Sequence, residues 1–283
     1  MKIVITGADG QLGLAFQKEC ARRDISAFGT DVSTCDITRA EAVAALLDAH
    51  KPSVLINCAA YNLVDDAETK PDLAFAVNAQ AVKVLAEACQ RRGIKLVHYG
   101  TDYVFDGQKC DLYTEEDLPH PLNVYGASKC EGETFARTLV ADRLVFRTSW
   151  VYGEGKQNFL YKVWGWAQKN KVLRISADEV SVPTSAEDLV QVTLEALDQG
   201  LNGLYHVTSG GYASRYEWAK YFLKMAGQEV LTVPVPLSYF QPKVARPLFS
   251  AMSNQRISAE LGIRIPSWEE GVEKYVRLNK EAG

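Results

Sequence analysis

The chain has 283 residues, 47% of them hydrophobic and 23% charged, which suits one large α/β domain or such a domain with a smaller lobe and excludes a disordered or fibrous protein. A formal charge of −4, with no run of Lys and Arg, speaks against a nucleic-acid stripe or a polybasic membrane anchor, so the expected partner is a small molecule. The six cysteines form no C-x-x-C pair and read as reduced packing residues.

In chain order, the first apolar run, KIVIT from Lys2, predicts a strand. It is too short for the h-region of a signal peptide, and no apolar run reaches the ~18 residues of a membrane span, so a cytoplasmic protein is expected. Gly7, Gly10 and Gly13 follow in G-x-x-G-x-x-G spacing and lead into a helical pattern. Glycines there permit the tight turn, let the backbone approach a pyrophosphate and leave a helix N-terminus facing the anion. A second strand, SAFGT from Ser26, ends at Asp31, 18 residues beyond Gly13, where a carboxylate is placed to accept hydrogen bonds from the adenosine ribose and to favour NADH over NADPH. An Asp that merely caps a turn is the plainer alternative. Asp36 and Ile37 then stand where an acidic-apolar pair would flank the adenine.

A third strand, SVLINC from Ser53, precedes a helical stretch from Pro71 to Arg92 in which Leu73, Ala76, Val77, Ala81, Val84, Leu85 and Ala88 recur at helical spacing. A fourth strand, KLVHYGT from Lys95, ends in Thr101-Asp102, and a fifth, RLVFRTS, starts at Arg143. Strands and helices alternating in this way predict a Rossmann-type doubly wound parallel sheet in residues 1–150, rejoined by part of 180–210. Residues 151–283 are expected to form mainly a smaller substrate-binding lobe, with helical patterns near 158–170, 184–199 and 214–226 and a Pro-rich stretch from Val233 to Pro242.

Tyr125 and Lys129, in YGASK, are four residues apart and would share a helix face, where an ammonium eases ionisation of a phenol. The spacing decides nothing, because Tyr152/Lys156, Tyr216/Lys220 and Tyr239/Lys243 repeat it. Placement does. Only Tyr125/Lys129 lies between the fourth and fifth strands, where Thr101 and this helix converge at the carboxyl edge of the sheet. The other three read as accidental surface pairs. The four histidines, at 50, 98, 120 and 206, are too scattered for a transition metal, and His98 reads as a packed core residue.

With TGADGQLG, INCAA, TDYVFDG, YGASK, RTSWVYG, Asn158-Phe159, Pro183-Thr184 and Arg246-Pro247 in this order, the chain resembles the extended short-chain dehydrogenase/reductase superfamily. Within it, the chain is similar to the dTDP-4-dehydrorhamnose reductase family. The resemblance implies an NADH- or NADPH-dependent reduction of the C4 keto group of dTDP-4-dehydro-L-rhamnose, a nucleotide-sugar substrate, by a monomer or homodimer. It places Gly10, Gln11 and Leu12 along the cofactor, Asp31, Asp36 and Ile37 near its adenosine end, and Ala60, Tyr61, Asn62 and Tyr99 at the border of the cleft. It makes Thr101, Tyr125 and Lys129 the catalytic trio, with Thr101, Asp102, Trp150 and Arg246 on the substrate side. Trp150 as packing between lobes is the alternative.

Gly100 stands where the family usually has Ser, Asn62 replaces a usual Thr, and Asp178-Glu-Val-Ser-Val-Pro-Thr184 departs from its D-Q-x-G-x-P-T signature. Some members hold an interface magnesium with a carboxylate soon after the glycine loop. The corresponding stretch here is Leu14-Ala15-Phe16, so no metal is expected, with Glu187 a remnant of such a site. Two rival functions remain: another nucleotide-sugar epimerase or dehydratase, which would retain its cofactor, and a non-catalytic regulatory subunit similar to the beta subunit of methionine adenosyltransferase.

Overall fold

Runs such as VLIN, apolar along their whole length, have no face to offer to water, and a parallel sheet covered by helices buries both sides. The computed structural model of the protein, which describes residues 1–281, has this arrangement. Strands β1 (Lys2–Thr6), β2 (Ser26–Thr30), β3 (Val54–Asn57), β4 (Lys95–Tyr99) and β5 (Arg143–Arg147) alternate with helices α1 (Gln11–Arg22), α2 (Ala40–His50), α3 (Val64–Ala67), α4 (Pro71–Phe75), α5 (Ala81–Arg92) and α6 (Val124–Leu139). The chain continues through β6 (Val151–Tyr152), α7 (Phe159–Ala167), β7 (Val172–Ser176), β8 (Val180–Ser181), β9 (Thr184–Ser185) and α8 (Ala186–Asp198). It ends with β10 (Gly203–His206), β11 (Ala213–Ser214), α9 (Arg215–Met225), β12 (Leu231–Val235), α10 (Gln255–Leu261) and α11 (Trp268–Glu281).

The main sheet has the order β10-β5-β4-β3-β1-β2, with every pairing parallel, so β10 from the second half of the chain forms one edge. One of its faces packs against Phe16 and Cys20 of α1, Leu189 and Leu194 of α8, and Ile257 of α10. The other packs against Val43 and Leu47 of α2, Leu85 and Cys89 of α5, and Ala136 of α6. A separate apolar cluster joins Tyr152, Leu160, Leu173, Trp218, Phe222, Trp268 and Val272, which come from β6, α7, β7, α9 and α11. Three two-stranded ladders, β7–β12, β8–β11 and β6–β9, belong to this second lobe. No helix among the described residues is long and apolar enough to cross a membrane.

Two local readings differ from the sequence pattern. The stretch 71–92 is not one regular helix: a π-turn, Ala76–Gln80, separates α4 from α5. Its extra residue rotates the preceding turn, so Leu73 is exposed while Ala74 and Asn78 are buried. The Pro-rich stretch contributes β12, and Pro234 is tolerated because β12 pairs with β7 alone and needs no donor on its open side.

The π-turn abuts α6 so closely that a Cβ on Gly132 would lie 1.9 Å from the Asn78 carbonyl oxygen. Gly132→Ala therefore forces backbone apart, and we expect a loss of about 3 kcal/mol in the unfolding free energy from urea titration. An unchanged midpoint would contradict this close packing.

Candidate active site

In a parallel sheet of this kind the carboxyl ends of the strands share one edge, and the loops leaving them form a crevice. The loop after β1 is held tight by its glycines. Gly7 has φ +67°, and a Cβ on it would meet the Ala59 nitrogen at 2.5 Å, while a Cβ on Gly13 would meet the Gly7 oxygen at 2.3 Å. Gly10 caps α1 with no side-chain hydrogen bond, which leaves the first N–H groups of the helix facing the crevice. Leu12 packs against the sheet core, and Gln11 Oε1 is buried without a hydrogen-bond partner. A bare helix N-terminus behind a glycine cradle that a Cβ would fill fits the pyrophosphate of a dinucleotide, while the unpartnered Gln11 oxygen can only accept.

Across the end of β3 from this loop lies Lys129. Cys58 adjoins Ala59, and its thiol and the Lys129 ammonium influence one another. Lys129 is buried and its Nζ donates to the Tyr99 carbonyl at 2.6 Å. Burial brings the ammonium down to about 8, and the Glu133 carboxylate, one turn along α6, is the largest influence holding it up. Tyr125, one turn the other way, has its ring edge against Tyr103 at 5.6 Å between centroids and its phenol hydrogen-bonded to Thr101. Burial pushes the phenol up to about 12, with the Thr101 bond lowering it, so Tyr125 carries a proton at neutral pH. Thr101 Oγ1 accepts from the Tyr103 N–H at 3.2 Å and donates to Asp102 Oδ1 at 3.2 Å. The three residues expected to form a trio thus stand in one place.

Asp102 is placed differently from the expected sugar contact. It is only 2% exposed, and its Oδ2 accepts from Ser181 at 2.8 Å and Ser250 at 2.6 Å. Burial raises its pKa against these hydrogen bonds. Trp150 follows β5 with φ +44°, a left-handed backbone rare for so bulky a residue. Its indole stacks on Trp218 at 5.7 Å and carries the Arg215 guanidinium, itself on the cavity wall, at 3.6 Å. Arg246 donates to Asp65 Oδ1 at 2.6 Å, with the Tyr103 hydroxyl at 3.5 Å. Arg215 and Arg246 border a cavity of about 580 Å³ whose walls also include Phe159, Trp166, Arg174 and Lys243, with Asp65, Glu68 and Glu179 opposing them.

The remaining expected residues are spread more widely. Asp31 Oδ2 accepts the Asp9 N–H at 3.1 Å and Oδ1 accepts the Val32 N–H, so the carboxylate ties the glycine loop to the end of β2. Asp36 Oδ1 accepts from the Thr38 hydroxyl and N–H, which lowers its pKa, and Ile37 is buried among Val43 and Leu47. Tyr61 is fixed by its backbone to Asn78, its hydroxyl bonds Asp66, and Asn62 beyond Ala60 is exposed. The Tyr99 side chain turns away from the crevice to bond Thr193 at 2.8 Å, so its carbonyl alone reaches Lys129. Of the other Tyr–Lys pairs, Tyr239 is exposed, but Tyr152 is 1% exposed in the second-lobe core, where apolar packing and not solvent explains it. His98 is buried in β4 as expected.

Residues 1–280 match the model of the RmlD substrate binding domain family. The chain belongs to that family. Among proteins of the RmlD family, a dTDP-4-dehydrorhamnose reductase of Sinorhizobium fredii is 34% identical over 98% of this chain and 97% of its own. The crystal structure of a dTDP-4-dehydrorhamnose reductase from Clostridium acetobutylicum superposes with TM-score 0.96 at 36% identity, covering 99% of this chain and 100% of the other. That of Bacillus anthracis, in complex with NADP, gives 0.95 at 36% identity over 98% and 100%.

Sequence reasoning did not single out Arg215, Ser181, Ser250, Asn78 or the Glu133–Arg147 pair as site residues. They come from six separate segments; Arg147 and Ser181 lie in stretches that the resemblance marked, but spacing alone gives neither a role. At the expected magnesium remnant, Glu187 Oε2 lies 2.9 Å from Lys274 Nζ, which is 3.3 Å from Asp188 Oδ1, so a protein ammonium supplies the positive charge there. We therefore expect EDTA to leave both turnover and the sedimentation coefficient unchanged; loss of either on chelation, restored by magnesium, would contradict this.

Proposed function

We propose that this RmlD-family protein reduces the C4 keto group of dTDP-4-dehydro-L-rhamnose with NADH or NADPH, giving dTDP-L-rhamnose. The observation that carries the reading is the convergence of Thr101, Tyr125 and Lys129 at the end of β4, across β3 from a glycine cradle that a Cβ would fill. Gly7, Gly10, Gln11 and Gly13 would hold the pyrophosphate, Asp31 the adenosine ribose, and Lys129 the nicotinamide ribose. The bound dinucleotide supplies the hydride.

The protein's own part is proton delivery and alignment. Tyr125 keeps its proton at neutral pH and hands it to the alkoxide oxygen developing at C4. Thr101 hydrogen-bonds the same oxygen, and the Lys129 charge favours the phenolate left behind. The cavity between the lobes suits the rest of the substrate: aromatic Phe159 and Trp166 offer apolar surface, and Arg174, Arg215, Lys243 and Arg246 outnumber the acids and favour a diphosphate. Residues 151–283 would then mainly hold the nucleotide sugar, while β10 and α8 belong with the cofactor half.

Asp31 would repel a 2′-phosphate at close range, so NADH should be used at least as well as NADPH. A large preference for NADPH in kcat/KM would remove Asp31 from that role. Tyr125→Phe keeps the ring against Tyr103 and removes the proton, so kcat should fall by roughly 10² or more while NADH still binds. Tyr239→Phe, at an exposed position with the same spacing to a lysine, should leave turnover near normal. Near-normal turnover in Tyr125→Phe would refute the assigned acid.

A further inference from the structure

We propose that the buried Glu133–Arg147 ion pair is a positioning device for Lys129: it pins α6 to β5 and sets a carboxylate one helical turn from the ammonium, so that Lys129 stays charged although buried. Glu133 accepts two bonds from Arg147, Nε to Oε2 at 2.8 Å and Nη2 to Oε1 at 2.7 Å, and both residues are 1% exposed. A longer contact of 3.3 Å reaches Oε1 from the partly exposed Arg137. Residue 100, at the end of β4 between the pair and Thr101, is a glycine. A Cβ there would stand 3.3 Å from both Glu133 Oε2 and Arg147 Cγ, so the pair fills the space that a side chain would take.

A pair this deeply buried is poor support for stability, since desolvation offsets much of the attraction and apolar groups of similar size often do as well. Its place beside the catalytic helix gives it another use. Burial without compensation drives an ammonium toward the neutral form. The groups about the Lys129 ammonium are the Tyr99 carbonyl, to which it donates, Cys58 beyond β3, His98 on β4, Tyr125 and Glu133 one turn either way along α6, and Arg147 behind Glu133. Burial holds His98 neutral and keeps the Cys58 thiol and the Tyr125 phenol protonated. Glu133 is therefore the anion available to Lys129, while Arg147 fixes its direction.

The inference rests on the reading of Tyr125 and Lys129 above, and a test by cofactor binding separates the two because it needs no sugar. NADH affinity, followed by cofactor fluorescence across pH 6 to 10, should weaken in the wild type where Lys129 loses its proton. Taking away the carboxylate lowers that pKa, so in Glu133→Gln the break should move down by about one pH unit, equivalent to a tenfold change in protonation at fixed pH. The double variant Glu133→Leu/Arg147→Met, which replaces the pair with apolar groups, should keep a melting temperature near that of the wild type and yet show the same downward shift. Glu133→Asp should partly restore the wild-type profile. A wild-type pH profile in a folded Glu133→Gln or double variant overturns the proposal, and so does failure of both to fold, which would make the pair structural. If Glu133→Gln shifts the break as expected but the wild type fails to reduce the keto sugar, the functional reading falls and the assignment of Glu133 stands.

Discussion

The site depends on how near helix α6 can come to its neighbours. Gly126 and Gly132 leave no side chain where α6 meets the loop after β4 and the π-turn: a Cβ on the first would be 2.3 Å from the Tyr103 carbonyl oxygen, and on the second 1.9 Å from that of Asn78. With backbone this close, Lys129 reaches the Tyr99 carbonyl and Tyr125 meets Thr101. The contact also explains the irregularity before α5. A π-turn brings Asn78 inward, where its side chain bonds both the backbone of Tyr61 and the hydroxyl of Ser128, binding the loop after β3 to α6.

Much of the sheet was legible because its strands are buried on both faces and so spell continuous apolar runs; β1 coincides with KIVIT, and β4 and β5 begin with KLVHYGT and RLVFRTS and end two residues sooner. The glycine loop was legible for the same kind of reason, since a position that excludes Cβ admits one residue. The π-turn was not, because Ala76 to Gln80 has ordinary helical composition and the turn is imposed by α6 from outside. Ile37 was placed near the adenosine end of the cofactor and Tyr99 at the border of the cleft; both side chains turn into packing, because a resemblance names a residue and says little about whether its side chain or its backbone faces the ligand.

The second lobe shows the limit more clearly. Trp150 was marked by its neighbours in RTSWVYG, but its left-handed backbone and the Arg215 guanidinium stacked upon it arise from α9, sixty-odd residues away in the chain. Holding a tryptophan in that conformation costs about 1–2 kcal/mol, which the stacking of its indole on Trp218 and the Arg215 guanidinium over its ring help to offset. Ser181 and Ser250 are small polar residues in segments that the resemblance marked without giving either serine a role. Only the folded arrangement brings both to one carboxylate.

That carboxylate has a mechanical meaning. One oxygen of Asp102 takes the hydroxyls of Ser181 and Ser250 from the far lobe, and the other takes the Thr101 hydroxyl on the near side. The lobes cannot part here without stripping donors from a buried anion, whose charge then falls more heavily on Thr101. The spacing of the lobes and the aim of the Thr101 hydroxyl are thus a single coordinate, because one carboxylate holds Ser181 and Ser250 on one side and Thr101 on the other.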